Sequence, residues 1–192
     1  MRTLILLGVL SATAGADPRP LELRAGLTVT HTARHQEFSI VPPWSGTGPG
    51  IELDAGVFIT DHFAVVGHVG WSSFETYYYD ALNTPHHTRS RFQHVRLHAM
   101  IERHFDRIRV GAGLGLDPLH ESWVVSDDAI DGSATGWFLG GNLQFGIDVR
   151  RFPGGAIGVV ADAALFPLVH LDSTRSTWRA TTLSFGIVFR QR

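Results

Sequence analysis

The chain has no cysteine and no lysine. Without cysteine it can build no disulfide framework, thiolate metal site, catalytic thiol or lipid-modified cysteine. Without lysine it has no Schiff-base or amine nucleophile; all 16 basic residues are arginine. Those arginines form no basic block, and the net charge is −2, which argues against nucleic acid as a partner. No apolar run reaches the roughly 20 residues that a membrane-spanning helix needs. Helix-period stripes and capping boxes are missing as well, so helices are not expected to carry the fold.

The N-terminus holds the longest apolar run, and it is short. Arg2 supplies one charge, Thr3 to Leu10 an apolar stretch, and Ala14-Gly15-Ala16 a small-x-small site ahead of Asp17. That is the layout of a secretory signal. We expect residues 1–16 to be a cleaved signal peptide and residues 17–192 the exported domain.

What fills the rest is alternation with period two, the signature of strands with two unlike faces. Trp137 to Leu165 shows it best: Trp137, Leu139, Leu143, Phe145 and Ile147 share one parity, and Gly140, Asn142, Gln144 and Asp148 the other. After the turn Arg151-Phe152-Pro153-Gly154-Gly155, Ile157, Val159, Ala161 and Leu165 oppose Gly158, Val160 and Asp162. The same rhythm runs through Leu21–Thr32, Ile51–Ile59, Phe63–Ser72, His94–Glu102, Ile108–Leu116 and Thr181–Phe189. Eight ribbons result, joined alternately by tight turns and by long connections over Ala33–Gly50, Phe74–Arg91, Asp117–Ser133 and Pro167–Thr177. The expected fold is all-β, an eight-stranded antiparallel up-and-down barrel forming one domain.

Which face meets water decides whether such a barrel is soluble or spans a membrane. Glycines such as Gly56, Gly70, Gly111, Gly113 and Gly186 share parity with the polar residues. A solvated face gains nothing from glycine, whereas a lumen barely wide enough for side chains needs tiny residues between large ones. Long connections on one rim and short turns on the other fit a transmembrane barrel. So do Trp71 and Trp137 toward the long-connection rim and Phe63, Phe105 and Phe189 toward the other. The polar face should therefore point inward and the apolar face toward lipid.

The eight ribbons, the long connections and the closing strand Leu183-Ser184-Phe185-Gly186-Ile187-Val188-Phe189 resemble the small outer-membrane barrels typified by OmpX and the OmpA transmembrane domain. The resemblance covers the mature chain and is one of pattern. It implies a transmembrane barrel in the outer membrane of a Gram-negative bacterium. It further implies lipid and lipopolysaccharide as surroundings, and the barrel-insertion machinery as a partner in biogenesis. In that family the last strand ends on an aromatic residue, whereas here Phe189 is followed by Arg190-Gln191-Arg192.

Candidate chemistry is sparse. The lumen face collects Glu22, Arg24, Glu52, Asp54, His68, His94, Arg96, His98, Glu102, Arg109, Asn142, Gln144, Asp148 and Asp162. In a narrow lumen these must pair with one another, because an unpaired buried charge is costly; a plug of ion pairs is expected. His68, one of His94 and His98, and Glu52 or Asp54 carry zinc-type donors. His94 and His98 are about 13 Å apart by strand rise, too far to share an ion, and no stoichiometric metal or other cofactor is expected.

His120-Glu121-Ser122 resembles the His-x-Ser pair of outer-membrane lipid A deacylase barrels, with Trp123 where that family has Asn. That resemblance implies Ser122 as nucleophile, His120 as base and Asp128 or Asp131 orienting the imidazole. Trp44, Trp123, Tyr77 to Tyr79, His86 and His87 decorate the long connections, either as contact surfaces or as rings resting on the headgroup region. The reading is of a monomeric structural or interaction barrel without a catalytic site, serving envelope integrity or surface contact. The alternatives are a lipid hydrolase and a soluble exported barrel with an apolar ligand.

Overall fold

The structure is a computed structural model and describes residues 21–36, 45–79, 87–125, 130–170 and 178–191. The expected signal peptide, Trp44, His86, Asp127 and Asp128 lie outside the described residues, as do the side chains of Tyr77, Tyr78, Tyr79 and His87. Eight strands run β1 Leu21–Gln36, β2 Ser45–Phe58, β3 Phe63–Tyr79, β4 His87–Phe105, β5 Ile108–Val125, β6 Ile130–Phe152, β7 Gly155–His170 and β8 Trp178–Gln191. Each pairs antiparallel with its neighbours in sequence, and β8 pairs with β1, so the sheet is a closed barrel.

The turns on one rim are tight for local reasons. Phe152 pairs with Gly155 across Pro153-Gly154, where proline fixes the first central φ and Gly154 takes φ +80° at the second, the requirement of a type II turn. Asp106 turns β4 into β5 with φ 50°, a left-handed conformation that aspartate tolerates better than most residues. At the β2–β3 turn the Thr60 hydroxyl accepts from the backbone N–H of Phe63 at 3.1 Å.

The strands are longer than alternation suggests. β1 continues to Gln36 and β2 starts at Ser45, β3 and β4 extend to Tyr79 and from His87, and β5 and β6 run to Val125 and from Ile130. The long connections read over Ala33–Gly50, Phe74–Arg91 and Asp117–Ser133 are thus largely strand, and β7 takes in the start of Pro167–Thr177 as far as His170. Backbone pairing continues here after the apolar outer face has ended, so these segments do not carry the apolar-out, polar-in pattern of the belt. Proline and glycine in β2 do not prevent it: Pro49 pairs with Val29, and Gly46 and Gly48 with Thr32 and Thr30. The ladder between β4 and β5 is interrupted between the pairs His94–Leu119 and Leu97–Leu116. Pro118, which has no N–H to give, lies in that gap.

Faces follow the expected parity. Leu27, Leu143 and Ile187 are 72%, 63% and 65% exposed on the outside, while Arg96, His94, Asp117 and Glu102 are buried inside. An apolar outer surface that continues around the barrel is far larger than a water-soluble monomer tolerates, and lipid is the solvent that fits it. Trp71 and Trp137 edge this surface toward the connection rim. At the turn rim Phe152 stacks on Phe189 at 5.7 Å, and the Arg103 guanidinium lies over Phe105 at 4.5 Å and Phe63 at 5.4 Å.

Candidate functional site

The lumen is filled by side chains in two chemically different regions. In the first, arginine braces the barrel from within. Arg96 on β4 donates to Asp162 on β7, to Glu52 on β2 at 3.1 Å and to Ser184 on β8 at 3.4 Å. Asn142 completes Asp162 by donating to its other oxygen at 2.8 Å. Nearer the turn rim, Arg24 donates to Glu102 at 2.7 Å and lies 3.2 Å from Asp54. Arg190 reaches Glu22 at 3.3 Å and also Asp148, which accepts from Arg109 at 3.0 Å. Glycine makes the room: a Cβ on Gly70 would stand 2.8 Å from the Arg96 Nε.

The second region is built on imidazole. Asp117 on β5 is fully buried and accepts from Nε2 of His94 and Nε2 of His98, each at 3.0 Å. The two histidines, which strand rise sets too far apart to share an ion, each bond a different oxygen of this carboxylate. Strand rise separates their backbones, but their side chains lean toward a common carboxylate on the neighbouring strand. A Cβ on Gly140 would come within 1.7 Å of that carboxylate, so only glycine fits opposite it. His68 donates from Nδ1 to Asp54 at 2.6 Å, and its ring lies 6.1 Å from that of His98.

Above this region the lumen turns apolar. Phe74, Phe92, Leu119, Phe138, Phe166 and Ala180 form a buried cluster on the connection side. Phe166 packs its ring 4.3 Å from His94, and Phe74 stacks on Phe92 at 5.1 Å. Toward the turn rim Phe58, Ala64, Val66 and Met100 fill the β2–β4 side. The lumen is therefore a salt-bridged layer under an apolar cap. Neither Asp117 nor the phenylalanine cap was foreseen as lumen-filling. Both continue the inward parity of their strands, as Ser72 leads to Phe74 and His94 back to Phe92, and that register was the available signal.

The zinc-type donors named from sequence do not converge. His68 faces Asp54, Glu52 faces Arg96, and His94 and His98 face Asp117. Among the described residues a different trio, Glu22, Glu102 and His104, brings its donor atoms within 4.8 Å of one another. Donor type suits a metal, but guanidiniums already sit on both carboxylates: Arg24 2.7 Å from Glu102 and Arg190 3.3 Å from Glu22. These fixed positive charges work against a cation at the same oxygens.

His120 and Ser122 sit in β5, not in a loop, on its outward face. His120 Nδ1 shares a hydrogen bond with Thr135 Oγ1 at 2.9 Å, and Ser122 pairs with Ser133 and Arg91. Two residues apart on one strand, they are separated by about 7 Å of rise. Asp131 pairs with Val124, one row further on. The relay His–Ser–Asp is thus not assembled among the described residues.

One more charged group lies on the outside. Glu75 on β3 accepts from Arg89 at 3.1 and 2.6 Å on one oxygen, and from Arg91 at 3.1 and 2.8 Å on the other. The hydrogen bonds from Arg89, then those from Arg91, hold its carboxyl below the usual carboxylate range.

Residues 3–190 match the family described as outer membrane protein beta-barrel domain. Among solved structures, the chain is similar to the attachment invasion locus protein Ail of Yersinia pestis in complex with the heparin analogue sucrose octasulfate. That likeness has a TM-score of 0.60 at 10% identity and covers 88% of this chain and 98% of Ail. The outer membrane protein OprG from Pseudomonas aeruginosa matches with TM-score 0.50 at 10% identity, over 92% of this chain and 97% of its own. Neisserial surface protein A gives TM-score 0.49 at 17% identity, over 88% and 95%. At such identities the likeness is one of fold. No curated protein sequence matches.

Proposed function

The chain belongs to the outer membrane protein beta-barrel domain family, and from that premise we propose that it is a non-conducting structural barrel of the Gram-negative outer membrane whose outward rim makes the functional contacts. The observation that carries this is the filled lumen. Arg96 joins carboxylates on β2 and β7 across the interior, and the Phe74–Phe166 cluster closes the connection end. An ion crossing it would have to displace both charge pairs and an apolar cap, in a barrel whose strand number already leaves little lumen.

The chemistry supports a scaffold in preference to an enzyme. The His120–Ser122 pair faces outward with His120 engaged by Thr135, and the lumen carboxylates Glu22, Glu52, Asp54, Glu102, Asp117, Asp148 and Asp162 are each met by a guanidinium, amide or imidazole. Residues 1–16 act in this reading as the export signal, and the folded protein is a monomer surrounded by lipid and lipopolysaccharide. Two measurements test the proposal together. Membrane fractionation with heated and unheated gel electrophoresis should give an outer-membrane band with heat-dependent mobility. Planar-bilayer recording of the same protein should give no steady channel current. A soluble protein without a mobility shift, or reproducible unitary conductance, would sink the reading. Hydrolysis of lipid A that vanishes in Ser122→Ala would replace it with the enzyme.

A further inference from the structure

Below the phenylalanine cap the buried charges of the lumen do not balance. Among the described residues, seven carboxylates are buried there against four guanidiniums, those of Arg24, Arg96, Arg109 and Arg190. Arg151 adds a fifth from the turn rim, 3.1 Å from Asp148. Two negative charges are left without a fixed countercharge in an interior walled off by a lipid-facing sheet, and an unmatched buried charge is costly.

The shortfall has an address. Six of the seven carboxylates touch a guanidinium: Glu22 that of Arg190, Glu52 and Asp162 that of Arg96, Asp54 and Glu102 that of Arg24, and Asp148 that of Arg109. Asp117, which is 0% exposed, meets imidazoles alone, Nε2 of His94 and Nε2 of His98 at 3.0 Å each. The surrounding strands do not supply the difference. On β4, Arg96 is engaged by Glu52 of β2 and Asp162 of β7. On β3, His68 has its ring 6.1 Å from that of His98 but leans on Asp54 of β2 at 2.6 Å. From β7 His94 meets the neutral ring of Phe166 at 4.3 Å, and β6 offers only Gly140, where even a Cβ would collide with the carboxylate.

We propose that the His94–Asp117–His98 unit holds one bound proton, its two rings together carrying three N–H groups, so that a proton and not a side chain completes the lumen plug. The proton belongs to the unit, as in any strongly coupled set of sites. The fold gives it an effect. The unit spans the gap in β4–β5 backbone pairing between His94–Leu119 and Leu97–Leu116, so its charge balance bears on a seam that the ladder leaves open. In the unfolded chain these imidazoles are neutral above about pH 6.5, so above that pH folding takes up a proton. Where the folded state binds more protons than the unfolded one, stability falls as pH rises. The seam is thus a pH-sensitive closure, fully tightened on the acid side of neutral and weakened as the unit gives its proton up.

The test is urea unfolding of the refolded full-length protein in phosphatidylcholine vesicles, from about pH 6 to about pH 9 at constant ionic strength. Heat-dependent gel mobility at the acid end shows that each variant has formed the barrel. For the wild type the folding equilibrium constant should fall with rising pH, by up to about tenfold per pH unit for this proton. Asp117→Asn removes the charge that the proton balances and should lack that component. Should Asp117→Asn not fold, the imidazole nitrogen spectrum of the wild type decides: at about pH 7.5, His94 and His98 should together show three protonated nitrogens. A pH slope unchanged by Asp117→Asn overturns the proposal, as do two neutral rings in the spectrum. So does a wild-type slope that millimolar divalent cation abolishes, since a metal ion would then be the missing countercharge.

Discussion

Asp162 and Asp117 are both buried lumen carboxylates, and they are satisfied in opposite ways. Asp162 is met by the Arg96 guanidinium and the Asn142 amide; Asp117 is met by two imidazoles. Arg96 carries a permanent charge and reaches β2, β7 and β8 from β4, so it is a strut across the interior. His94, Asp117 and His98 occupy only β4 and β5, where they span the break in backbone pairing between His94–Leu119 and Leu97–Leu116, so they form a local staple. The same task, neutralising a carboxylate away from water, thus braces the barrel across its interior in one place and ties two neighbouring strands in the other.

Removing the strut should have the largest effect. Arg96→Met leaves Glu52 and Asp162 buried without their guanidinium, and we expect a loss of about 3–5 kcal/mol in urea unfolding of the refolded barrel in vesicles. If the loss equals that of a variant in the staple, the contrast between the regions is wrong. The apolar cap comes next. Phe166→Ala removes a fully buried ring from above His94, with an expected cost of about 3 kcal/mol and faster hydrogen exchange confined to the β4–β5 pair.

Asp117→Asn keeps the shape of the staple but removes its charge and one acceptor, leaving a histidine N–H without its partner. A cost of about 1–3 kcal/mol is expected, together with a shifted pair of imidazole resonances in the NMR spectrum; unchanged His94 and His98 signals would count against the staple.

The smallest effect belongs to the exposed Glu75 fork, which has an ion-pair geometry like the lumen's but faces water. Its carboxyl is held below the usual range by Arg89 and Arg91. The stabilisation it gives is therefore complete above the ordinary carboxylate range and is lost as pH falls through the lowered value. Local hydrogen exchange at the β3–β4 outer pair should rise only below that range, and Glu75→Gln should flatten the response. A response centred near neutral pH would assign it to another group.

Much of this was legible from parity. Period two told which side chains point inward, and the glycines on the polar parity told that inward meant narrow; Arg24, Arg96, Asp148 and Asp162 were placed correctly on those grounds. Parity is silent on reach. It assigned His94 and His98 to one face but not to one carboxylate, because that depends on how side chains lean between strands. It is also silent where both faces change polarity. Beyond the apolar belt, Phe74, Phe92 and Phe138 point inward and Glu75, Arg89 and Arg91 outward, reversing the code used lower down. Read as two-tone ribbon, this stretch looks like loop, and Asp117 at its edge was lost with it.

The pairing of β1 with β8 also has a consequence for how the protein is made. Glu22 is tied to Arg190 at 3.3 Å, and Thr30 to Ser184 at 3.0 Å, so the first strand of the barrel is completed only by the eighth. Until then the growing sheet has two unpaired edges, which lipid does not tolerate. All eight strands must therefore be present before the barrel can be finally sealed, and its greasy outer residues must be kept from aggregating throughout that interval.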